Sequence, residues 1–117
     1  IRIPSSGPKA RRIEHRVAGG DVNPYLTIAA ILGAALNGLE EKLVAPEPFK
    51  GNAYDKKLAQ LPGDWGAAIE AFDRCPDIRR ILPAHLVDNY LMTKRQELHY
   101  MAELSDEETV ELYLDTV

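Results

Sequence analysis

Arg12, Glu14 and Arg16 stand two residues apart in the run Lys9-Ala10-Arg11-Arg12-Ile13-Glu14-His15-Arg16-Val17. On extended backbone alternate side chains share a face, so one carboxylate would sit between two guanidinium groups while Ile13, His15 and Val17 face the other way. At roughly 3.3 Å per residue the outer arginines lie about 13 Å apart, enough to span a bound phosphate and a metal ion. That layout suits phosphoryl transfer. Arginine's planar fork meets phosphate or carboxylate oxygens two at a time and stays charged at physiological pH. Glu14 would serve a hard cation such as Mg²⁺ or Mn²⁺, which binds through one or two carboxylates together with substrate phosphates. The same alternation also describes a solvated strand face, where exposed ion pairs contribute roughly 0 to 1 kcal/mol. Spacing alone leaves both readings open.

Charge favours an anion site in this segment. Residues 1–17 hold five cations (Arg2, Lys9, Arg11, Arg12, Arg16) against Glu14, while the whole chain carries −4, so the remainder carries −8. A basic island in an acidic chain attracts an anion locally, whereas a uniformly basic chain would point to nucleic acid or an anionic membrane. The island has no aromatic residue for base stacking, and Glu14 would repel a phosphate backbone, so nucleic-acid binding is disfavoured.

The elements that must position these residues fall into a lopsided order. At 117 residues and 45% hydrophobic composition, one ordinary domain with a real core fits and two do not. The opening Ile1-Arg2-Ile3-Pro4 reads like the middle of a strand, and the charged run reads like a second. Asn23 is a good N-cap and Pro24 fits the first helical position, so a helix is expected from Asn23 to about Leu43. Its apolar run is shorter than the roughly 20 residues a membrane span needs. Gly33 and Gly38 in it would allow a close backbone approach. Pro46 to Gly63 reads as a long loop.

Asp64 caps a second expected helix, on which Trp65, Ile69 and Phe72 share a face and which Pro76 ends. A short turn is expected from Asp77 to Leu82. Val87, Leu91, Leu98 and Met101 then mark an amphipathic helix of about five turns. Ser105 and Glu108 form a capping-box signal for a last helix with Val110, Tyr113 and Leu114 on its apolar side. The expectation is therefore an α+β fold, two short N-terminal strands followed by four or five helices, with residues 1–117 an incomplete portion of a larger domain. The single Cys75 cannot form an internal disulfide, which suits a reducing cytoplasm.

Several of these motifs occur together in one family. Ile1-Arg2-Ile3-Pro4, then Pro8-Lys9-Ala10-Arg11-Arg12-Ile13-Glu14-x-Arg16, then Asn23-Pro24-Tyr25-Leu26 resembles the carboxyl-terminal part of the glutamine synthetase catalytic domain. The likeness continues through Ala29-Ala30, Gly38, Asp88-x-Tyr90, Lys94-Arg95 and Glu111-Leu112-Tyr113. It implies an ATP-dependent ligase in which glutamate is phosphorylated on its side-chain carboxylate and an amine displaces the phosphate.

By the same resemblance Glu14 would ligate Mg²⁺ or Mn²⁺ and Arg2 and Arg12 would bind phosphate in a catalytic role. Arg16 would hold the glutamate substrate and Lys9 would lie near the nucleotide. Partners would be glutamate and ammonia or an amine, with neighbouring subunits in a homo-oligomeric ring. The rest of the site would lie before residue 1, so the isolated chain is expected to have neither ligase activity nor tight nucleotide binding. His15 and the small-residue turn Val17-Ala18-Gly19-Gly20-Asp21 look more like the γ-glutamylpolyamine synthetase branch than glutamine synthetase proper. His15 itself points away from the site face on a regular strand and is expected to pack in the core or at an interface. A non-catalytic relative kept for assembly or regulation is the alternative of another class. Tyr54, in a loop superficially like one that carries a modified tyrosine in some relatives, is expected to be an ordinary packing residue.

Overall fold

Asn23 starts the first helix by local chemistry. In the computed structural model its side-chain oxygen accepts from the backbone N–H groups of Tyr25 (3.0 Å) and Leu26 (3.1 Å), and Pro24 occupies the first helical position. The structure describes residues 1–4, 7–49, 51–52, 55 and 57–116, and Tyr54 lies outside the described residues. Helix α1 runs Pro24–Glu40. It stops short of Leu43 because Lys42 adopts a left-handed conformation (φ 53°), letting Leu43 N–H reach the Gly38 carbonyl at 2.9 Å and Lys42 N–H reach Leu39 at 3.2 Å. That is a Schellman ending with lysine where glycine usually sits.

Asp64 opens α2 (Trp65–Arg74) by accepting from Ala67 N–H at 2.7 Å. Cys75 then closes α2 and opens α3 (Pro76–Ile81), so the turn expected over Asp77–Leu82 is a helix instead. The reason is that Pro76 stops one helix and, as a first-position residue, starts the next. Helix α4 (Ala84–Met101) has the expected five turns. Ahead of α5 (Asp106–Thr116), Ser105 N–H donates to Glu108 Oε2 at 2.8 Å and Glu108 N–H donates to Ser105 Oγ at 3.3 Å, a reciprocal capping box.

The expected α+β class does not hold. Among the described residues there are five α-helices, a 3-10 turn at Pro8–Ala10 and no strand. The two N-terminal segments meet only at one antiparallel bridge, Arg2 to Glu14. Two short extended segments with Ile1, Ile3, Ile13 and Val17 left exposed bury too little to hold a sheet, which needs a third strand or a covering layer.

The core lies where α2, α3 and α4 converge. Ile69, Ile78, Val87 and Leu91 are buried, flanked by Trp65, Phe72, Cys75, Leu82 and Leu98 and, from α1, Ala30. Phe72 and Tyr90 rings pack tilted, 5.5 Å between centroids. A row of charges bolts the outside of the same three helices. Arg79 donates to Asp88 (2.8 Å) and Asp73 (3.0 Å), and Arg95 donates to Asp73 (2.7 Å) and Glu70 (3.1 Å). Helix α5 is held to α4 by the Tyr113 hydroxyl donating to Glu97 Oε1 at 2.6 Å, while Lys94 pairs with Glu97 Oε2 at 2.6 Å.

Helix α1 docks through α3. A Cβ at Gly33 would meet Ile81 Cγ2 at 2.3 Å, so only glycine permits this approach, whereas Gly38 faces open space. The Arg80–Glu41 ion pair reinforces the contact. The other side of α1 is uncovered: Tyr25, Ile28, Leu32, Leu36 and Leu39 form an exposed stripe at helical spacing.

Candidate active site

Arg2, Arg12 and Glu14 come together at the single bridge. Arg2 N–H donates to the Glu14 carbonyl at 3.0 Å and Glu14 N–H donates to the Arg2 carbonyl at 2.8 Å, which sets the two side chains opposite each other. Arg2 Nη1 reaches Glu14 Oε2 at 3.0 Å and Arg12 Nη2 reaches Oε1 at 2.9 Å. Arg12 is steadied from behind by donating Nη1 to the Ala10 carbonyl at 3.3 Å. The i to i+2 alternation thus puts Arg12 beside Glu14, as extended backbone requires.

The electrostatics follow from this contact. Partial loss of solvent pushes the Glu14 carboxyl up, but the charge and hydrogen bond of Arg2, with the hydrogen bond and charge of Arg12, outweigh it. The net effect holds Glu14 below the ordinary glutamate range, so it is an anion at neutral pH. The three side chains together carry one positive charge. Each guanidinium has five N–H donors and spends only one or two here, so donors remain on the exposed side for an oxyanion.

Arg16 and Lys9 are exposed on either side, and neither makes an ion pair or hydrogen bond among the described residues. The structure therefore joins three of the five predicted site residues and leaves two apart. His15 is exposed, not packed in a core.

A divalent cation asks for more than these residues give. Both Glu14 oxygens are occupied by arginine, and no group of three or more His, Cys, Asp or Glu side chains with cation-binding geometry exists among the described residues. One carboxylate matches the one or two that Mg²⁺ commonly takes from protein, so Glu14 fits as a single ligand once an arginine releases an oxygen. The described residues do not hold the ion by themselves.

Sequence reasoning missed that Arg2, twelve positions away, is the second arginine on Glu14, where the spacing pointed to Arg16. No local signal carries a bridge of that separation, although the isolated Arg between Ile1 and Ile3 was a pointer. It also missed what the α4 motif residues do. Asp88 and Arg95 tie helices together, while Lys94 pairs with Glu97 on its own helix and its ammonium lies 5.9 Å from the ring centres of both Trp65 and Tyr90. An apolar cleft of about 190 Å³ between α1 and α4, lined by residues including Leu26, Phe72 and Tyr90, shares no residue with the charged cluster.

A family model described as glutamine synthetase, catalytic domain, matches residues 1–113. Among curated proteins the chain is 34% identical over 105 residues to a glutamine synthetase of Methanocaldococcus jannaschii, covering 83% of this chain and 23% of that protein. It is 36% identical over 98 residues to a gamma-glutamylethanolamide synthetase of Streptomyces coelicolor, covering 84% and 21%. It is 33% identical over 114 residues to a gamma-glutamylputrescine synthetase of Escherichia coli, covering 97% and 24%. The chain spans about a quarter of the length of these relatives. No solved structure matches it.

Proposed function

Because this chain belongs to the glutamine synthetase catalytic-domain family, we propose that it forms one wall of the active site of an ATP-dependent glutamate–amine ligase working through a γ-glutamyl phosphate. The observation that supports this most directly is the Arg2, Glu14 and Arg12 cluster, which lies inside the family match and presents spare guanidinium donors beside a carboxylate held as an anion. Arg2 and Arg12 take phosphate oxygens of ATP and of the acyl phosphate. Arg16 binds the glutamate substrate, and Lys9 lies near the nucleotide. Glu14 gives one oxygen to Mg²⁺ or Mn²⁺, an ion that would offset charge on the phosphates. Phosphoryl transfer needs little covalent help from protein, so fixed positive charge around the transferring group does most of the work.

The acceptor is a polyamine such as putrescine. His15 and the Val17-Ala18-Gly19-Gly20-Asp21 turn support this, as does an alignment with the Escherichia coli gamma-glutamylputrescine synthetase that extends over 97% of the chain. Ammonia is the second reading, favoured by comparable identity to the Methanocaldococcus jannaschii glutamine synthetase. The full enzyme is a cytoplasmic homo-oligomeric ring, and this chain is the C-terminal portion of its catalytic domain.

The test is phosphate release by the complete enzyme, dependent on ATP and glutamate, with ammonia, putrescine, spermidine and ethanolamine in turn. Release with putrescine or spermidine is the expected result. Release with ammonia alone rejects the polyamine acceptor, and no release with any amine rejects the ligase.

A further inference from the structure

Helices α1, α2, α3 and α4 enclose a space that the charged cluster does not use. Gly33 brings the middle of α1 against Ile81 on α3, while nearer its start α1 lines the space with Leu26, Thr27 and Ala30. The cleft that remains measures about 190 Å³. Fully buried Val87 lines it, so it reaches the hydrophobic core. Phe72 and Tyr90, the tilted ring pair 5.5 Å apart, give it an aromatic wall.

The lining narrows what can occupy this cleft. None of the described residues around it carries a charge, and Thr27 and Tyr90 alone bring a hydroxyl. A well-held water wants about two to four polar partners, which such walls do not offer. An ion would lose its hydration with nothing to replace it. An uncharged ring, in contrast, gains dispersion contacts and an edge or face against Phe72 and Tyr90. Size narrows the choice further. An apolar cavity of about 150 Å³ holds a benzene molecule, so this cleft takes one six-membered ring with a small substituent and is too small for a helix or a peptide strand.

We propose that this cleft is a binding site for a small uncharged aromatic compound of one ring. The site shares no residue with Arg2, Arg12 and Glu14 and is independent of the ligase chemistry. Its occupant touches α1 on one side and the core of α2, α3 and α4 on the other, so binding ties α1 to that core.

The experiment titrates 4-fluorotoluene into the complete enzyme by fluorine NMR, with 4-fluorobenzoate as the charged compound of similar shape. The neutral ring should bind with a Kd of about 1 mM or below, and the benzoate roughly 10-fold or more weakly. Ala30→Leu and Thr27→Leu each put side-chain atoms into the cleft and should weaken 4-fluorotoluene roughly 10-fold or more. With the compound at about ten times its Kd, amide exchange in α1 should slow roughly 10-fold, because release of α1 opens the site. ATP and glutamate should leave the Kd unchanged. Absence of binding overturns the proposal, as does benzoate binding equally well. Binding indifferent to both leucine variants, or displaced by ATP or glutamate, places the compound elsewhere and overturns it too. So does binding by this chain alone that the complete enzyme lacks, because a segment of the enzyme then fills the cleft.

Discussion

Arg2 and Glu14 grip each other twice, through two backbone hydrogen bonds of 3.0 and 2.8 Å and through a side-chain contact of 3.0 Å. The backbone pair fixes where the carboxylate stands, and the side-chain pair fixes its charge. Arg12 completes the arrangement from within the same segment. A substitution that keeps shape and removes charge therefore separates these two functions.

Glu14→Gln should leave the backbone bridge and the helix content unchanged while removing the charge that holds both guanidinium groups and the acceptor of one of them. In the complete ligase, phosphate release should fall roughly 100-fold or more, with a higher divalent-cation concentration needed for half-maximal rate. Circular dichroism and cation titration of turnover check the two halves. Turnover unchanged at every cation level would remove Glu14 from the metal site.

Tyr113 has its pKa pushed up to about 12, first by the hydrogen bond it donates to Glu97, then by loss of solvent and the nearby negative charge. A raised value means the neutral phenol is favoured in the folded chain. The stabilisation is fully present below about pH 10 and is lost as pH rises from there through about 12. Urea melts across this window should show an alkaline loss that Tyr113→Phe lacks. Phenolate absorbance should show one tyrosine titrating late. Coincident titration of all tyrosines would show that the bond to Glu97 does not persist in solution.

At the acid end the relevant group is Asp73. Hydrogen bonds from Arg95 and then Arg79 hold its carboxyl below the ordinary aspartate range, against a smaller opposing effect of lost solvent. A lowered value stabilises the folded state above the ordinary aspartate pKa, and that contribution disappears as pH falls through the lowered one. Asp73→Asn should lower the melting temperature at pH 7 and flatten its decline below about pH 4. Equal slopes in both proteins would show that Asp73 does not link α2, α3 and α4.

Two glycines of α1 should respond in opposite directions to the same change. Gly33→Ala places a methyl 2.3 Å from Ile81 Cγ2 and 3.0 Å from its Cβ, a stiff branched neighbour. Overpacking of about 1 to 3 kcal/mol outweighs the gain in helix propensity, for a net loss of about 1 kcal/mol. Gly38→Ala meets nothing within 4 Å and should stabilise by about 0.5 to 1 kcal/mol. Denaturant melts measure both. Adding Ile81→Ala should make Gly33→Ala nearly harmless, a coupling that would be absent if the two did not touch.

What was legible in the sequence was the chemistry that acts within a turn. Asn23 with Pro24, Asp64, and Ser105 with Glu108 each satisfy free N–H groups three residues or fewer away, so their helices begin where those residues stand. Pro76 carries the same signal as Pro24, but a proline that breaks one helix gives no local sign that it opens another. The alternation from Arg12 to Arg16 correctly placed Arg12 beside Glu14. It did not make strands, because a strand's stability comes from neighbours on its edges and faces, and one bridge supplies neither. Arg2's contact with Glu14 and the exposure of His15 depend on long-range packing, which spacing does not encode.

Among the described residues the four buried core residues belong to α2, α3 and α4, between residues 65 and 101, and α1 lends that core Ala30 alone. The chain is thus built in two tiers, a contiguous three-helix nucleus whose contacts close over short loops, and a helix hung on it by Gly33 and Glu41. Short loop closure lets the nucleus form early, and α1 can lift away without opening it. Amide hydrogens of α1 should exchange well before those around Val87, which makes the most apolar helix of the chain easier to release than the core it leans on.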